Sequence, residues 1–174
     1  ATGAGGHAGR TSPFALMQEI RDWWSGPLAL SGSISTGRAV LAARAIGADF
    51  AYAGSMFIAT HEANAVEAYK QMVVRGAARD IVYTDLFTGI HANYLRGSVT
   101  AAGLDPDNLP RPEGGLDFSK GESYTKAWRD IWGAGQGIGA VKNIQSVAEL
   151  VSRLRREYDE ALDDLGEAAH GRAV

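Results

Sequence analysis

Residues 28–57 have the sequence LALSGSISTGRAVLAARAIGADFAYAGSMF and contain one local pattern twice. Residues 28–30 and residues 49–53 are short, mostly apolar runs, and each leads into a turn that contains glycine and serine. The turn residues are Gly32, Ser33, Gly54 and Ser55. Short apolar runs bounded by such turns are typical of strands buried in a parallel sheet. The stretch therefore predicts two neighbouring parallel strands, each ending in a glycine-serine turn.

A helix is predicted between these two strands, starting near Ser35 or Thr36 and ending at Gly47. Serine and threonine are favoured helix N-caps, and glycine commonly closes a helix in the left-handed conformation. The inward-facing positions of this helix are Val40, Leu41, Ala45 and Ile46. The order strand, helix, strand indicates βα units, so the predicted fold class is α/β.

The segment before residue 28 predicts a loop and one helix. Residues 1–10 are rich in glycine, and Ser12 followed by Pro13 is typical of a helix start. Gly26 and Pro27 are expected to end this helix. Its apolar face contains Leu16, Met17, Ile20, Trp23 and Trp24. We expect both tryptophans to pack in a core or between domains, as most clustered aromatic residues do.

Residues 62–121 are interpreted as an insertion with its own helices. Its predicted parts are a helix ended by Gly76, an extended segment over 80–84, a helix over 91–102 and a proline-containing loop over 105–115. A further helix is predicted over 124–132, with Trp128 and Trp132 on one face.

The last predicted element is a long amphipathic helix. Its apolar stripe is Val147, Leu150, Val151, Leu154, Tyr158, Ala161 and Leu165. The spacing of Glu149 with Arg153 and of Arg156 with Glu160 predicts two ion pairs on its outer side. From Gly166 onward the chain is expected to be frayed.

Composition excludes several classes of protein. The formal net charge is −3 and basic residues are interleaved with acidic ones, so a nucleic-acid partner is not expected. The chain contains no cysteine, which rules out disulfides, thiolate nucleophiles and zinc-cysteine sites. No apolar run approaches the ~18 residues of a membrane span, so a cytoplasmic protein without a membrane partner is expected.

The two glycine-serine turns predict a phosphate site. They follow adjacent parallel strands, so their backbone N–H groups and hydroxyls are expected to meet at one edge of the sheet. The helix start at Ser35 or Thr36 is expected to add the positive end of a helix dipole. The alternative is that these are ordinary strand-to-helix turns, since glycine and serine suit any tight turn.

His7 is the candidate for proton transfer, because it lies among glycines where a ligand can approach closely. The alternative is an exposed loop histidine. His61 adjoins Glu62 at an expected helix start, where the carboxylate suits the dipole. The roles of His91 and Gln136 stay open, and no metal site is expected.

Two glycine clusters, residues 3–8 and 135–140, fit the pattern G-x-G-x-x-A of dinucleotide-binding folds. That fingerprint requires a strand directly before it and a helix that opens inside it. Neither cluster has both predicted neighbours, so a dinucleotide site is not expected.

Several motifs, taken in order, resemble the nitronate monooxygenase family, formerly called 2-nitropropane dioxygenase. They are residues 5–9, 31–34, 47–50, 54–57, 86–89 and 132–137. The resemblance implies the C-terminal part of an FMN-binding TIM (β/α)₈ barrel with a smaller helical insertion. It implies three segments: 1–61 from the end of strand six to strand eight, 62–121 as the insertion, and 122–174 as the return to the barrel. A full barrel needs about 200 or more residues, so the 174-residue chain is expected to be incomplete.

By the same resemblance, His7 occupies the position of the catalytic histidine after strand six. The implied FMN-binding residues are Gly5, Gly6, Ser31, Gly32, Ser33, Gly54 and Ser55. Two positions depart from the family pattern: Ser33 stands where glycine is common, and Tyr52 where glutamine is frequent. The Tyr52 difference affects the expected flavin contacts.

The resemblance implies a flavin-dependent oxidation of alkyl nitronates by O₂ to a carbonyl compound and nitrite. The expected partners are a small nitronate, O₂ and the N-terminal half of the barrel, and a homo-oligomer is left open. Two alternatives remain: an oxidoreductase similar to flavin-dependent enoyl-acyl-carrier-protein reductase, and a non-catalytic fragment that needs its N-terminal half.

Overall fold

The computed structural model describes residues 1–110 and 130–169. Its strands are β1 Gly6–His7, β2 Ala29–Ser31, β3 Phe50–Tyr52, β4 Ile81–Thr84 and β5 Ala92–Leu95. Its α-helices are α1 Pro13–Arg21, α2 Gly37–Ala45, α3 Ser55–Ile58, α4 Glu67–Arg75, α5 Arg96–Ala101 and α6 Val147–Ala169. Two 3₁₀ helices occupy Ala78–Asp80 and Gln136–Ala140. The described residues thus form an α/β structure with two separate small sheets.

The predicted βα unit is present. β2 and β3 pair in parallel, with Leu30 opposite Ala51, and α2 connects them. The Thr36 hydroxyl caps α2 by accepting a hydrogen bond from the Ala39 N–H at 3.1 Å. Gly47 follows the helix at φ +102°, a conformation that glycine adopts without strain. The cap and turn chemistry of the sequence therefore predicted this unit correctly.

One face of the β2–β3 sheet is open, so the prediction of fully buried strands is wrong. Leu30 is buried against Met17 and Ala43, but Phe50 is 63% exposed and Tyr52 is 68% exposed. Successive strand residues point to opposite faces, and only one face of this sheet is covered among the described residues. The apolar runs are typical of a strand that is covered on both sides, and among the described residues only one side of these strands is covered.

The second sheet has the order β1, β5, β4 and is antiparallel. The predicted extended segment over 80–84 and the helix ending at Gly76 are confirmed as β4 and α4. The helix predicted over 91–102 is wrong in its first part, because Ala92–Leu95 is the strand β5 and α5 begins only at Arg96. Pairing between two neighbouring strands, which buries all four β5 residues, overrode the local pattern.

The strands of this sheet lie in two segments where no strand, or only one extended segment, was predicted. The glycine-rich segment contains the short strand β1 at Gly6–His7, where only a loop was expected. Within residues 62–110, the segment interpreted as a helical insertion contains β4 and β5 as well as α4 and α5.

α1 is shorter than its apolar pattern predicts. It ends at Arg21, so Trp23 and Trp24 lie beyond it, and they are 74% and 43% exposed. The Arg21 guanidinium binds carbonyl groups on both sides, at Gly26 and Gly47, and pairs with Asp49 at 2.7 Å. The two tryptophans therefore do not pack in a core of the described residues, and the alternative that they pack between domains stays a prediction.

α6 is the longest helix and packs on α2. Leu150 and Ala161 are fully buried, and the ion pair of Arg156 with Glu160 is confirmed at 3.8 Å. Glu149 instead binds the Ser146 hydroxyl and N–H, and Arg153 pairs with Glu157 at 2.7 Å, so that predicted pair is wrong. The helix continues to Ala169, past the predicted fraying point.

Most of the predicted helix over 124–132, including Trp128, lies outside the described residues. Trp132 is described, and its ring stacks on Tyr69 at 5.0 Å between centroids. Within residues 1–110 and 130–169, no helix combines the length and apolar character needed to cross a membrane.

Candidate functional site

A small open pocket lies at the carboxyl ends of β2 and β3. Its lining contains six of the eight predicted site residues: Gly5, Ser31, Gly32, Ser33, Gly54 and Ser55. The rest of its wall consists of Gly3, Ala4, Ile34, Ser35, Tyr52, Ala53, Gly135 and Gly137. Sequence reasoning therefore identified turns that do converge, although they are separated by more than twenty residues along the chain.

Close backbone packing explains the glycines of this pocket. A Cβ added to Gly32, which has φ +124°, would lie 2.4 Å from the Thr2 carbonyl oxygen. A Cβ added to Gly135 would lie 2.5 Å from the Gly3 carbonyl oxygen. No side chain fits at either position without moving backbone, so these glycines allow three chain segments to meet.

Gly54 lines the same pocket but differs from the packed glycines. A Cβ added there would meet no atom within 4 Å. The position that a side chain would occupy at Gly54 is therefore open space.

Some N–H and hydroxyl groups of the pocket residues are already hydrogen-bonded to other pocket segments. The Gly3 carbonyl accepts from the N–H groups of Gln136 at 2.9 Å and Ser33 at 3.3 Å. The Ser55 hydroxyl accepts from the Gly135 N–H at 2.7 Å. A hydroxyl that accepts one bond keeps its proton for another acceptor. Ser55 can therefore donate to an anion, whereas the Ser33 N–H is already engaged within the protein.

N–H groups at the start of α2 are hydrogen-bonded within the protein and do not face a ligand in the pocket. The Glu157 carboxylate of α6 accepts from the Gly37 N–H at 2.8 Å, and Thr36 accepts from Ala39. An acidic side chain thus already occupies the positive end of this helix dipole. The expected contribution of the Ser35 or Thr36 helix start to anion binding is replaced by this internal contact.

Gly6 and His7 are not part of the pocket lining. They form β1 beside β5, with Gly6 opposite Asn93 and His7 opposite Ala92. The His7 ring is exposed, and its Nε2 lies 3.2 Å from the Thr88 hydroxyl. The structure therefore separates the predicted residues into a turn pocket and a histidine on the neighbouring sheet.

Thr88 also contacts a buried tyrosine. Burial raises the pKa of Tyr94, and a hydrogen bond with Thr88 acts in the opposite direction. The Tyr94 ring packs edge-on against Phe87 at 5.0 Å.

Asn93 is a residue that sequence reasoning missed. It is 1% exposed, and its Nδ2 donates to the Ala4 carbonyl at 2.6 Å. Its Oδ1 is buried and has no hydrogen-bond partner among the described residues. An asparagine inside a predicted helix carries no signal for this role, because the contact arises only when β5 pairs with β1.

The other histidines have different surroundings. His91 Nδ1 lies 3.8 Å from an Asp85 oxygen, and its ring is tilted against Tyr83 at 4.9 Å. Glu62, next to His61, accepts from the Val147 N–H at 2.9 Å and 3.0 Å. The carboxylate therefore caps the start of α6, and the expectation that it begins a helix of its own is wrong.

Neither glycine cluster has the surroundings of a dinucleotide site. Residues 3–8 contain the strand β1, and Gln136–Ala140 is a 3₁₀ helix. Across the described ranges, no three His, Asp or Glu residues are grouped closely enough to hold a metal ion.

The chain resembles curated proteins over most of its length. It is 28% identical to the nitronate monooxygenase of Paraburkholderia phytofirmans over 184 aligned residues, covering 96% of this chain and 50% of that protein. It is 30% identical to the probable nitronate monooxygenase of Bacillus subtilis, covering 88% of this chain and 49% of that protein. The chain thus spans about half the length of the curated relatives it matches.

Solved structures share the fold. The nitroalkane oxidase of Streptomyces ansochromogenes aligns with a TM-score of 0.70 at 26% identity, covering 95% of this chain and 52% of that chain. FabK from Thermotoga maritima aligns with a TM-score of 0.74 at 23% identity, covering 95% and 54%. Both have the TIM-barrel fold, and at 23% identity the second likeness concerns the fold alone.

A family model described as nitronate monooxygenase matches residues 2–157. This range includes β1, the turn pocket and the first part of α6, up to residue 157. The chain belongs to the nitronate monooxygenase family.

Proposed function

We propose that this chain is the C-terminal, phosphate-binding part of a TIM-barrel flavoenzyme that oxidises alkyl nitronates with O₂ to a carbonyl compound and nitrite. The observation that carries the proposal is the turn pocket at the carboxyl ends of β2 and β3, in a chain that belongs to the nitronate monooxygenase family. In (β/α)₈ barrels this end of the strands holds the active site, and loops after late strands bind phosphate.

The pocket fits the phosphate end of FMN. Gly54 lines the pocket and has open space where a Cβ would lie, and the Ser55 hydroxyl keeps a proton for an anion. The proposed FMN-binding residues are Gly5, Gly6, Ser31, Gly32, Ser33, Gly54 and Ser55. FMN would supply the electron transfer, while the chain supplies anchoring and a proton carrier.

His7 is the proposed catalytic residue. Its imidazole is exposed on β1, and a neutral imidazole accepts or returns a proton near pH 7. FMN is elongated, so a phosphate anchored at the turns leaves its ring system free to reach beyond the pocket toward the β1 side.

The missing layer over β2 and β3 is the proposed position of an N-terminal barrel half. Parallel sheets are normally covered on both faces, and here Phe50 and Tyr52 are exposed on the same face. The proposed segments of the chain are 1–61 and 122–174 for the barrel and 62–121 for an insertion.

The first test is the visible absorption spectrum of the purified chain before and after adding FMN, alone and joined to a family N-terminal half. A bound-flavin spectrum with the complete barrel, lost in Gly54→Leu, supports the proposal. A complete barrel that binds no flavin overturns it.

Turnover separates the proposed activity from its alternatives. In the flavin-loaded enzyme, His7→Ala is expected to lower nitronate turnover by ~10²-fold or more while flavin stays bound. His61→Ala, which removes another exposed histidine ring, is the matched control. Flavin reduction by NAD(P)H with an enoyl thioester, and no nitronate turnover, would favour the enoyl-reductase alternative.

A further inference from the structure

Asn93 binds two of the chain segments that form the wall of the turn pocket. Its Nδ2 donates to the Ala4 carbonyl at 2.6 Å, and its backbone carbonyl accepts from the Ala134 N–H at 3.3 Å. Ala4 lines the pocket, and Ala134 directly precedes the pocket residue Gly135. A carbonyl oxygen only accepts hydrogen bonds, so the amide nitrogen of Asn93 is the atom that faces Ala4.

Strand pairing holds the first of these segments at a second point. Asn93 lies opposite Gly6 where β1 pairs with β5. Gly5 therefore stands between two residues that Asn93 contacts. A Cβ added to Gly5 would lie 2.9 Å from the Gly135 nitrogen, so the two segments pack backbone against backbone. The contacts of Asn93 keep them at this separation.

The two segments in turn contact the proposed anion-binding turns. The Gly135 N–H donates to the Ser55 hydroxyl at 2.7 Å, which leaves the hydroxyl proton for another acceptor. The Gly3 carbonyl accepts from the Ser33 N–H at 3.3 Å. A displacement of the wall segments would therefore also move both glycine-serine turns.

The Asn93 amide is only half satisfied in this position. Its Oδ1 is buried and has no hydrogen-bond partner among the described residues. A buried acceptor without a partner destabilises a folded protein. An apolar side chain would avoid that loss but would leave the Ala4 carbonyl without this donor. Local departures from full satisfaction are expected where a residue serves a functional site.

We propose that Asn93 is a positioning residue of the turn pocket, which holds the wall segments so that both glycine-serine turns converge on one phosphate group. The inference rests on the proposed binding of FMN and adds a residue that is not in the pocket lining. Asn93 acts through Ala4 and Gly135, so its loss is expected to affect recognition of the phosphate and not of the flavin ring.

The test compares FMN with riboflavin, which has the same ring system and no phosphate, in the full-length protein. Quenching of flavin fluorescence gives both dissociation constants for the wild type, Asn93→Ala and Val99→Ala. Partial unfolding weakens both ligands by the same factor, because each binds only the folded state. The ratio of the two constants therefore reports phosphate recognition separately from stability. Val99→Ala truncates a fully buried side chain on α5, outside the pocket lining, and is the matched control.

We expect the wild type to prefer FMN and Asn93→Ala to reduce that preference by about tenfold, as misalignment of a hydrogen bond to a charged group would. Val99→Ala is expected to keep the wild-type ratio. An unchanged ratio in Asn93→Ala overturns the role of Asn93 and leaves the proposed function standing. A wild type that binds FMN no more tightly than riboflavin contradicts phosphate binding by the pocket, and the role of Asn93 with it.

A second measurement uses the wild type and does not depend on the folding of a variant. The side-chain amide signals of Asn93 are followed by ¹⁵N NMR of the full-length protein with riboflavin and then with FMN. We expect them to shift when FMN replaces riboflavin, because the phosphate contacts the segments that Asn93 holds. The exposed Asn108 amide is the internal reference and is expected to stay unchanged. Asn93 signals that are identical with both flavins overturn the proposal.

Discussion

At the scale of single residues, Tyr69 links the helix α4 to residues 132–133, which precede the pocket residue Gly135. Its hydroxyl donates to the Gly133 carbonyl, and its ring stacks on Trp132. Burial raises the pKa of Tyr69 to about 12 from the ordinary value of 10.0. The neutral phenol is therefore favoured in the folded protein, because ionisation would place a charge in a poorly solvated site.

This raised pKa predicts a loss of stability in alkaline solution. Above pH 10 the unfolded chain loses the Tyr69 proton while the folded chain keeps it, so the free energy of unfolding falls as pH rises toward 12. The loss is about 2 kcal/mol, allowing for partial solvent access. Urea unfolding from pH 8 to 11.5 measures it. Tyr69→Phe is expected to reduce the slope, and Tyr158→Phe, made on α6, to retain it.

Asn93 predicts a second effect at this scale. Its amide N–H binds the Ala4 carbonyl at 2.6 Å in a buried site. Asn93→Asp replaces that donor by a carboxylate oxygen facing a carbonyl oxygen, so we expect a loss of about 3 kcal/mol or more. Asn108→Asp, at an exposed position, is expected to change stability by less than about 0.5 kcal/mol. Equal effects in the two variants, measured by urea unfolding, would contradict the importance of the Ala4 contact.

At the scale of elements, the contact between α2 and α6 determines how the βα unit is held. Gly37 begins α2, and a Cβ added there would lie 2.1 Å from the Leu154 carbonyl oxygen of α6. The same Gly37 donates its N–H to Glu157, which also pairs with Arg153 at 2.7 Å. A glycine at the helix start and an acid on the partner helix therefore form one interface.

Neutralising this acid tests the interface. Glu157→Gln keeps the shape of the side chain but removes its charge from the positive end of α2, and we expect a loss of about 1 kcal/mol in the free energy of unfolding. Glu160→Gln, on an exposed pair with Arg156, is expected to cost less than about 0.5 kcal/mol. The difference should shrink in high salt. Indistinguishable variants would show that the Gly37 contact contributes little.

The elements that sequence predicted well are those with local signals. α2 has its threonine cap and its glycine stop, α4 ends at Gly76, and α6 has a long apolar stripe. β5 was mistaken for a helix, since nothing within Ala92–Leu95 reveals that β1 and β4 flank it. Local preferences are overridden where pairing with distant segments buries a whole strand.

At the scale of the whole molecule, the two faces of the β2–β3 sheet are unlike. Leu30 is buried against α1 and α2, while Phe50 and Tyr52 are exposed on the opposite face. Parallel sheets are normally covered on both faces, so these exposed aromatic side chains support the proposal that an N-terminal barrel half packs here. The chain with this asymmetric sheet spans about half the length of the curated relatives it matches.

A charged substitution is expected to have different effects on the two faces of the β2–β3 sheet. Phe50→Asp should leave the thermal stability of this chain within about 0.5 kcal/mol of wild type, because the side chain is already solvated. The same change should weaken binding to a family N-terminal half, measured by calorimetry. Leu30→Asp should unfold the chain, because it buries an unpaired charge. Equal binding by wild type and Phe50→Asp would contradict the proposal that this face is covered.

The sequence by itself determined the α/β class, the βα unit over residues 28–57, the glycine-serine turns and the family. These features depend on neighbours in the chain, where caps, turn residues and apolar periodicity act locally. Only the tertiary structure decided that Glu157 occupies the start of α2, that Asn93 binds Ala4, and that His7 meets Thr88. Each of these contacts joins segments more than eighty residues apart, and such pairings follow from packing rather than from any local preference.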